Sequence, residues 1–309
     1  MPRPLPHVID SSMLVMFRSC PRKYFWEHLE CLRPSGRAID LTAGGAFAAG
    51  IEAAYQARFR DGKSDTDALA AAYRAFAAAW GDEPDPDPKR STKSFASTFQ
   101  ALLGYFIQWP FDRDPVRPMM LEGNPTFEFS FALPLMDPRF PRHPDGAPFL
   151  YSGRFDAFGL MDGRLVIRDE KTSGRAPDRH WSDKWTLRNQ FLGYCWAATQ
   201  SGFPTNTVVV RNVTIQKTQS QYLEAIKIFP QITIDRFVDQ LARDLHRLVD
   251  CYTSGYFDYD FGDACTAFNR PCAFMDLCSA EHPEDWFSLY NREVWDPLTR
   301  TSLPFEEAA

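Results

Sequence analysis

The segment Tyr151–Gly174, YSGRFDAFGLMDGRLVIRDEKTSG, constrains this chain more than any other stretch. Two short apolar runs flank a turn. The first delivers Asp156 and the second ends in Asp169-Glu170-Lys171. Successive residues of a strand point to opposite faces, so Asp169 and Lys171 share a side and Glu170 points away. Pairing of the two runs as a hairpin brings Asp156 alongside. Two acids supply hard oxygen ligands for a divalent cation, and the lysine sets a fixed positive charge beside them. This is the set a metal-dependent phosphodiesterase needs. An Asp-x-Lys taken alone is more often a solvated strand end, so the weight rests on its company.

Around the hairpin the pattern alternates helix and strand. Ser11 or Ser12 is expected to cap a short helix that turns Leu14 and Phe17 inward, and Pro21 suits the first turn of a second helix over 22–29. Residues 41–60, rich in small side chains, place Phe47, Ile51 and Tyr55 on one helical face. Helices are expected over 67–80 and 92–109, separated by the Pro- and Asp-rich DEPDPDPKR loop; the whole 61–125 stretch reads as a helical insertion or lid. Strands follow at 126–133, 150–160 and 164–170. A helix over 184–199 carries Leu187, Phe191, Tyr194 and Ala198 on one stripe. A β-branched hairpin is expected at 207–215 and 222–229, and a strongly periodic helix at 234–249. These elements predict an α/β fold, a central mixed sheet flanked by helices, in one domain spanning 1–309.

Composition narrows the class. The 309 residues are 44% hydrophobic and include 26 Phe and 8 Trp, enough for a large core. A net charge of −6 argues against a non-specific nucleic-acid coat, so contact with DNA must come from a local basic patch. No apolar run is long enough for a transmembrane helix, and the first residues lack a signal-peptide core, so a cytoplasmic setting is expected. Seven cysteines in a reducing compartment suggest metal or cluster ligands before disulfides. Cys265, Cys272 and Cys278 fall in CTAFNRPCAFMDLC, and the best fourth partner is the distant Cys20 in RSCPRKY. Four thiolates suit an iron–sulfur cluster or zinc. Cys31, Cys195 and Cys251 read as ordinary buried thiols.

Taken in order, Cys20-Pro21-Arg22, GRFDAFG, LVIRDEKTSG, Gln190-x-x-x-Tyr194 and the cysteine triplet resemble the PD-(D/E)XK nuclease superfamily. The resemblance is to its RecB-like branch with an iron–sulfur staple, which includes CRISPR-associated adaptation nucleases, AddB-type nuclease domains and phage exonucleases. It covers roughly residues 11–60 and 150–280 and implies a restriction-endonuclease-like core. It further implies a Mg²⁺- or Mn²⁺-dependent DNA exonuclease acting in recombination, repair, replication or CRISPR adaptation on single strands or duplex ends. A helicase, recombinase or CRISPR-adaptation protein is the implied partner, with no membrane. Asp156 and Asp169 match the metal-binding acids, with the Glu170 carbonyl completing the shell, and Lys171 matches the lysine that orients water. Gln190 and Tyr194 match the motif that contacts DNA, and Lys184 and Arg188 fit a phosphate-facing surface before it. The cysteines Cys20, Cys265, Cys272 and Cys278 match the ligands of a [4Fe–4S] cluster that staples segments 11–32 and 262–282.

One position departs from the family. In AGGAFAAGIEAAY the histidine that ligates metal in this branch is replaced by Ala48. Glu52, one turn on, is a candidate substitute and equally a plain helix carboxylate. Three readings stand: a natural variant using Glu52, a substitution made to silence the enzyme, or a catalytically silent descendant kept as a DNA-binding or adaptor protein.

Overall fold

A computed structural model describes residues 3–34, 39–89, 91–267 and 270–300, the last two by backbone alone. Residue 90 of the Pro–Asp loop and residues 268–269 of the expected cluster segment lie outside the described residues. In chain order the elements are β1 (Val8–Asp10), α1 (Ser11–Ser19), α2 (Pro21–Tyr24), β2 (Leu32–Pro34), α3 (Ile39–Tyr55), α4 (Asp65–Trp80) and α5 (Phe95–Gln108). Next come β3 (Arg117–Pro118), β4 (Met120–Leu121), β5 (Asn124–Pro125), β6 (Phe127–Pro134), β7 (Leu150–Met161), β8 (Arg164–Ser173) and α6 (Asn189–Gln200). The chain finishes with β9 (Thr207–Thr214), β10 (Gln221–Ile228), α7 (Gln231–Ser254), α8 (Met275–Ser279) and β11 (Tyr290–Arg292).

These elements build an α/β fold around a mixed sheet in the order β1-β7-β8-β9-β10, with β3 and β6 also paired to β7. The β7–β8 hairpin is antiparallel, with Ala157 opposite Arg168 and Met161 opposite Arg164. Its turn, Asp162-Gly163, takes φ of 51° and 74°, the left-handed pair that a two-residue hairpin demands. β8 runs parallel to β9, with Asp169 beside Val210 and Lys171 beside Asn212, and α6 makes the crossover. β9, TVVVRNVT, is buried on both faces as an interior strand should be, whereas β10 alternates.

The chain divides into two compact units, residues 1–36, 130–154 and 231–309, and residues 37–129 and 155–230. In the second unit α3, α4 and α5 share one hydrophobic cluster, built on Phe47, Ile51, Phe76, Leu102 and Tyr105 and reaching Val213 and Ile215. The 61–125 stretch therefore supplies core-forming helices. Gly50 lets these helices meet: a Cβ there would overlap Leu102 Cδ2 and stand 3.4 Å from the Ala72 carbonyl.

In the first unit β1 pairs in parallel with Leu150–Ser152, β2 pairs with β11, and Arg18 of α1 is ion-paired to Asp244 of α7 at 2.5 Å. The cap of α1 is Asp10 rather than Ser11 or Ser12. Its extended backbone aims the carboxylate at the Ser12 and Met13 amides, at 2.7 and 2.8 Å, where the helix N-terminus also favours negative charge. The second helix breaks after Tyr24 into a wider turn at Phe25–Leu29. No described helix is long and apolar enough to cross a membrane.

Candidate active site

β8 divides its side chains between two environments, and this division makes the site. Asp169 and Lys171 face one way. The Lys171 ammonium lies 2.6 Å from Asp169 Oδ1 and 2.9 Å from Oδ2, and 5.9 Å from the centre of the Phe191 ring of α6. Asp156 on β7 is held by the Glu170 amide, which donates to its Oδ2 at 2.8 Å. Asp169 is wholly buried, and Asp156 is partly exposed.

The electrostatics match a cation site. Burial and the neighbouring Asp169 carboxylate hold the Asp156 carboxyl well above the usual carboxylate range. Burial raises Asp169 as well, against the pull of Lys171. Burial works against the Lys171 ammonium, but Asp169 and Asp156 outweigh it and the net shift is upward. When ionised, one buried and one partly exposed acid served by a single lysine carry surplus negative charge. That surplus, with an all-oxygen donor set, fits a divalent cation such as Mg²⁺ or Mn²⁺.

The opposite face of β8 is an anchor. Arg168, 1% exposed, pairs with Glu170 at 2.5 Å and donates to the Tyr55 hydroxyl at 3.0 Å. Glu170 accepts from the Tyr105 hydroxyl at 2.9 Å. Arg211 of β9 grips both oxygens of Asp114, at 2.7 and 2.5 Å, and reaches Glu224 at 2.9 Å. The Glu170 side chain is thus committed to this network, and only its backbone serves the acid side: the amide holds Asp156, and the carbonyl is the atom expected as a metal ligand.

The remaining expected residues spread around this centre. Gln190 donates to the Tyr194 hydroxyl at 2.8 Å, and the Tyr194 ring lies buried against Phe155. Lys184 and Arg188 precede α6 instead of lying on it. Lys184 sits in a tight turn at Asp183–Trp185, over the Trp185 ring at 4.4 Å, and Arg188 is the residue before the helix. The buried Trp185 packs on Phe191 at 5.6 Å and takes the core place expected for Leu187, which is 72% exposed. Arg188 is a charge neighbour of both Asp169 and Lys171. On α3, Gly44 approaches Thr172 of β8, with a Cβ there 3.7 Å from its hydroxyl; Ala48 and Glu52 follow on the same face, one and two turns on. Glu52 accepts from Gln56 at 2.9 Å. Among the described residues no trio of donor atoms including Asp156, Asp169 and Glu52 lies within 4.8 Å.

Sequence reasoning missed Glu128 on β6, whose charge acts on Asp156, and it missed the whole anchor network. The signal was present for the second. Arg168 in LVIRDEK and Arg211 in VVVRNV interrupt apolar strand runs, and a buried arginine requires a partner.

In the first unit Cys20, Cys265, Cys272 and Cys278 all line one cavity of about 50 Å³, with Lys23, Tyr259 and Phe274 around them. Trp26 Nε1 donates to Cys278 Sγ at 3.4 Å. Among the described residues no three of these sulfurs lie within 4.8 Å of one another.

Two acids and a lysine thus lie at one end of a hairpin in a mixed sheet. The sequence matches the profile of the PD-(D/E)XK nuclease superfamily over residues 11–279, and the chain belongs to that superfamily. Among solved structures it is similar to one described as "Putative exonuclease" from Eubacterium rectale, at 13% identity, covering 89% of this chain and 94% of that one with a TM-score of 0.48. A second, SSO0001, is 15% identical, covering 90% of this chain and 88% of that one with a TM-score of 0.36. Neither likeness bears on activity. No curated protein matches the chain.

Proposed function

We propose that this nuclease hydrolyses DNA phosphodiesters with Mg²⁺ or Mn²⁺, acting as an exonuclease of the RecB-like branch on single strands or duplex ends. The observation that carries this is the placement of Asp156 and Asp169 around one lysine, with Asp156 fixed by the backbone of the second acid's strand. Asp156, Asp169 and the Glu170 carbonyl would hold the ion, which supplies Lewis-acid polarisation of the phosphate and a more acidic water. Lys171 orients the attacking water and offsets the charge that develops on the phosphoryl oxygens. Arg188 and Lys184 bind the phosphate backbone, which positions the strand without reading its bases. Gln190, held by Tyr194, presents its amide beside the scissile phosphate. In the first unit, Cys20, Cys265, Cys272 and Cys278 hold a [4Fe–4S] cluster with a structural role. Recombination, repair, replication or CRISPR adaptation, with a helicase or recombinase partner, fits such an activity.

A second reading rests on Ala48: a silent member of the fold that binds DNA without cutting it. End-labelled single- and double-stranded DNA incubated with Mg²⁺ or Mn²⁺ separates the two. Cleavage lost by more than a hundredfold in Lys171→Ala supports the enzyme. Binding without cleavage, with cleavage appearing in Ala48→His, sinks the active reading and supports the silent one.

A further inference from the structure

In the first unit, remote in sequence from the acid pair, three side chains converge without a role in hydrolysis. His7 lies in the segment leading into β1, and His143 and Asp145 lie on the turn that precedes β7. One ring nitrogen of His7, one of His143 and a carboxylate oxygen of Asp145 all fall within 4.8 Å of one another, the one such trio among the described residues. The two imidazoles stack with centroids 3.7 Å apart and planes 28° apart. His7 Nε2 is 2.9 Å from Asp145 Oδ2, and His143 Nδ1 is 2.7 Å from Oδ1.

The turn that presents them is well defined. His143 and Ala147 share a backbone bond of 2.9 Å, the Gly146 amide reaches the His143 carbonyl at 2.8 Å, and Gly146 takes a φ of +92°. The Ala147 amide fixes Asp145 Oδ1 at 3.0 Å. His143 is only 5% exposed, and its Nε2 stands 2.9 Å from the Leu5 carbonyl oxygen. A carbonyl only accepts, so Nε2 carries the proton. In the neutral ring Nδ1 then presents a lone pair. Nδ1 faces an Asp145 carboxylate oxygen at 2.7 Å and the Asp145 amide at 3.4 Å, so either a second ring proton or a metal ion can bridge nitrogen and carboxylate there. Donation from the far nitrogen to a backbone carbonyl is also the outer bond that orients histidines which ligate metals.

We infer that His7, His143 and Asp145 form a second metal site, which takes a borderline divalent transition-metal ion, Zn²⁺ first, through two ring nitrogens and one carboxylate oxygen. Water fills the remaining position, as at three-ligand zinc sites. The nitrogen donors select against Mg²⁺ and Ca²⁺, which prefer oxygen shells. His7 and His143 come from segments far apart in sequence, so the ion would clip a long loop shut. It does so at the first rung of the sheet, where the Leu150 amide meets the His7 carbonyl at 2.9 Å.

The test is equilibrium dialysis of the full chain against Zn²⁺ in excess Mg²⁺, comparing the parent with His7→Gln and Asp145→Asn. His7 is partly exposed, and neither change removes a core side chain, so circular dichroism should be unaltered. Each variant should bind one Zn²⁺ fewer than the parent, and a Zn²⁺-dependent rise in Tm should shrink in both. Zinc taken up by the cysteines cancels in that difference, and the acid pair is untouched. Equal zinc stoichiometry in all three proteins overturns the site and leaves a proton-bridged ion pair in its place.

Discussion

Asp169 is fully buried and Asp156 partly so, and folding raises the pKa of both, chiefly through desolvation and, for Asp156, also through its neighbour. A carboxyl whose folded pKa is raised contributes most below the unfolded value near 4, and that contribution is lost as pH rises through the folded value. Ionising them at neutral pH therefore costs stability in the metal-free protein, and on the proposed reading a divalent ion would offset that cost. Asp156→Asn keeps an oxygen for the Glu170 amide while removing the charge. It should raise the stability of the metal-free protein at pH 8 by about 1 kcal/mol, with little change at about pH 3.5, below the unfolded value. The parent should show a rise in Tm with Mn²⁺ that this variant lacks. Melting curves in EDTA and in Mn²⁺ at both pH values check this, and a lower Tm for the variant at pH 8 would show that the acids repel less than proposed.

At the scale of the element, β8 and α3 show how much was legible beforehand. The hairpin was readable because each of its signals is local: two apolar runs, a Gly turn, and acids at fixed spacing. The start of α6 was not, because Leu187 fits the helical stripe as well as Trp185 does, and only tertiary packing chose the tryptophan. The anchor network was half legible. Arg168 and Arg211 announce buried charge, but Tyr55, Tyr105 and Asp114 come from distant segments that no spacing rule connects. Nor does any spacing rule reveal how closely α3 approaches its neighbours. Replacing a helix-interior glycine by alanine ordinarily gains up to about 1 kcal/mol of helix propensity. At Gly50 the new methyl would meet Leu102, the Ala72 carbonyl and Phe76 in a filled core, and overpacking costs about 1–3 kcal/mol. The second effect should win. Gly50→Ala should lower the urea midpoint, and a midpoint above the parent's would mean that α3, α4 and α5 have room to separate.

At the scale of the whole molecule, the acid pair and the four cysteines belong to different units. The acids, Lys171, Arg188 and Gln190 belong to the second unit, and the four cysteines to the first. Cys20 comes from the junction of α1 and α2, and Cys265, Cys272 and Cys278 from the loop-rich segment after α7, where regular structure is sparse and the local core is small, built on Trp26, Leu32, Phe274 and Leu277. A segment with so little apolar surface to bury gains most from a metal centre, because ligand binding and folding then become one event. Burial raises the Cys278 thiol, with Cys20 and Cys272 adding to it, so a bare Cys278 thiolate is unwelcome and a cationic centre would restore it. Cys272→Ser should therefore lower the yield of folded protein and remove brown colour and broad visible absorption together, whereas Lys171→Ala should lose cleavage and keep both. A colourless parent protein, isolated without oxygen and carrying stoichiometric zinc at the four cysteines, would overturn the cluster and leave the nuclease assignment intact.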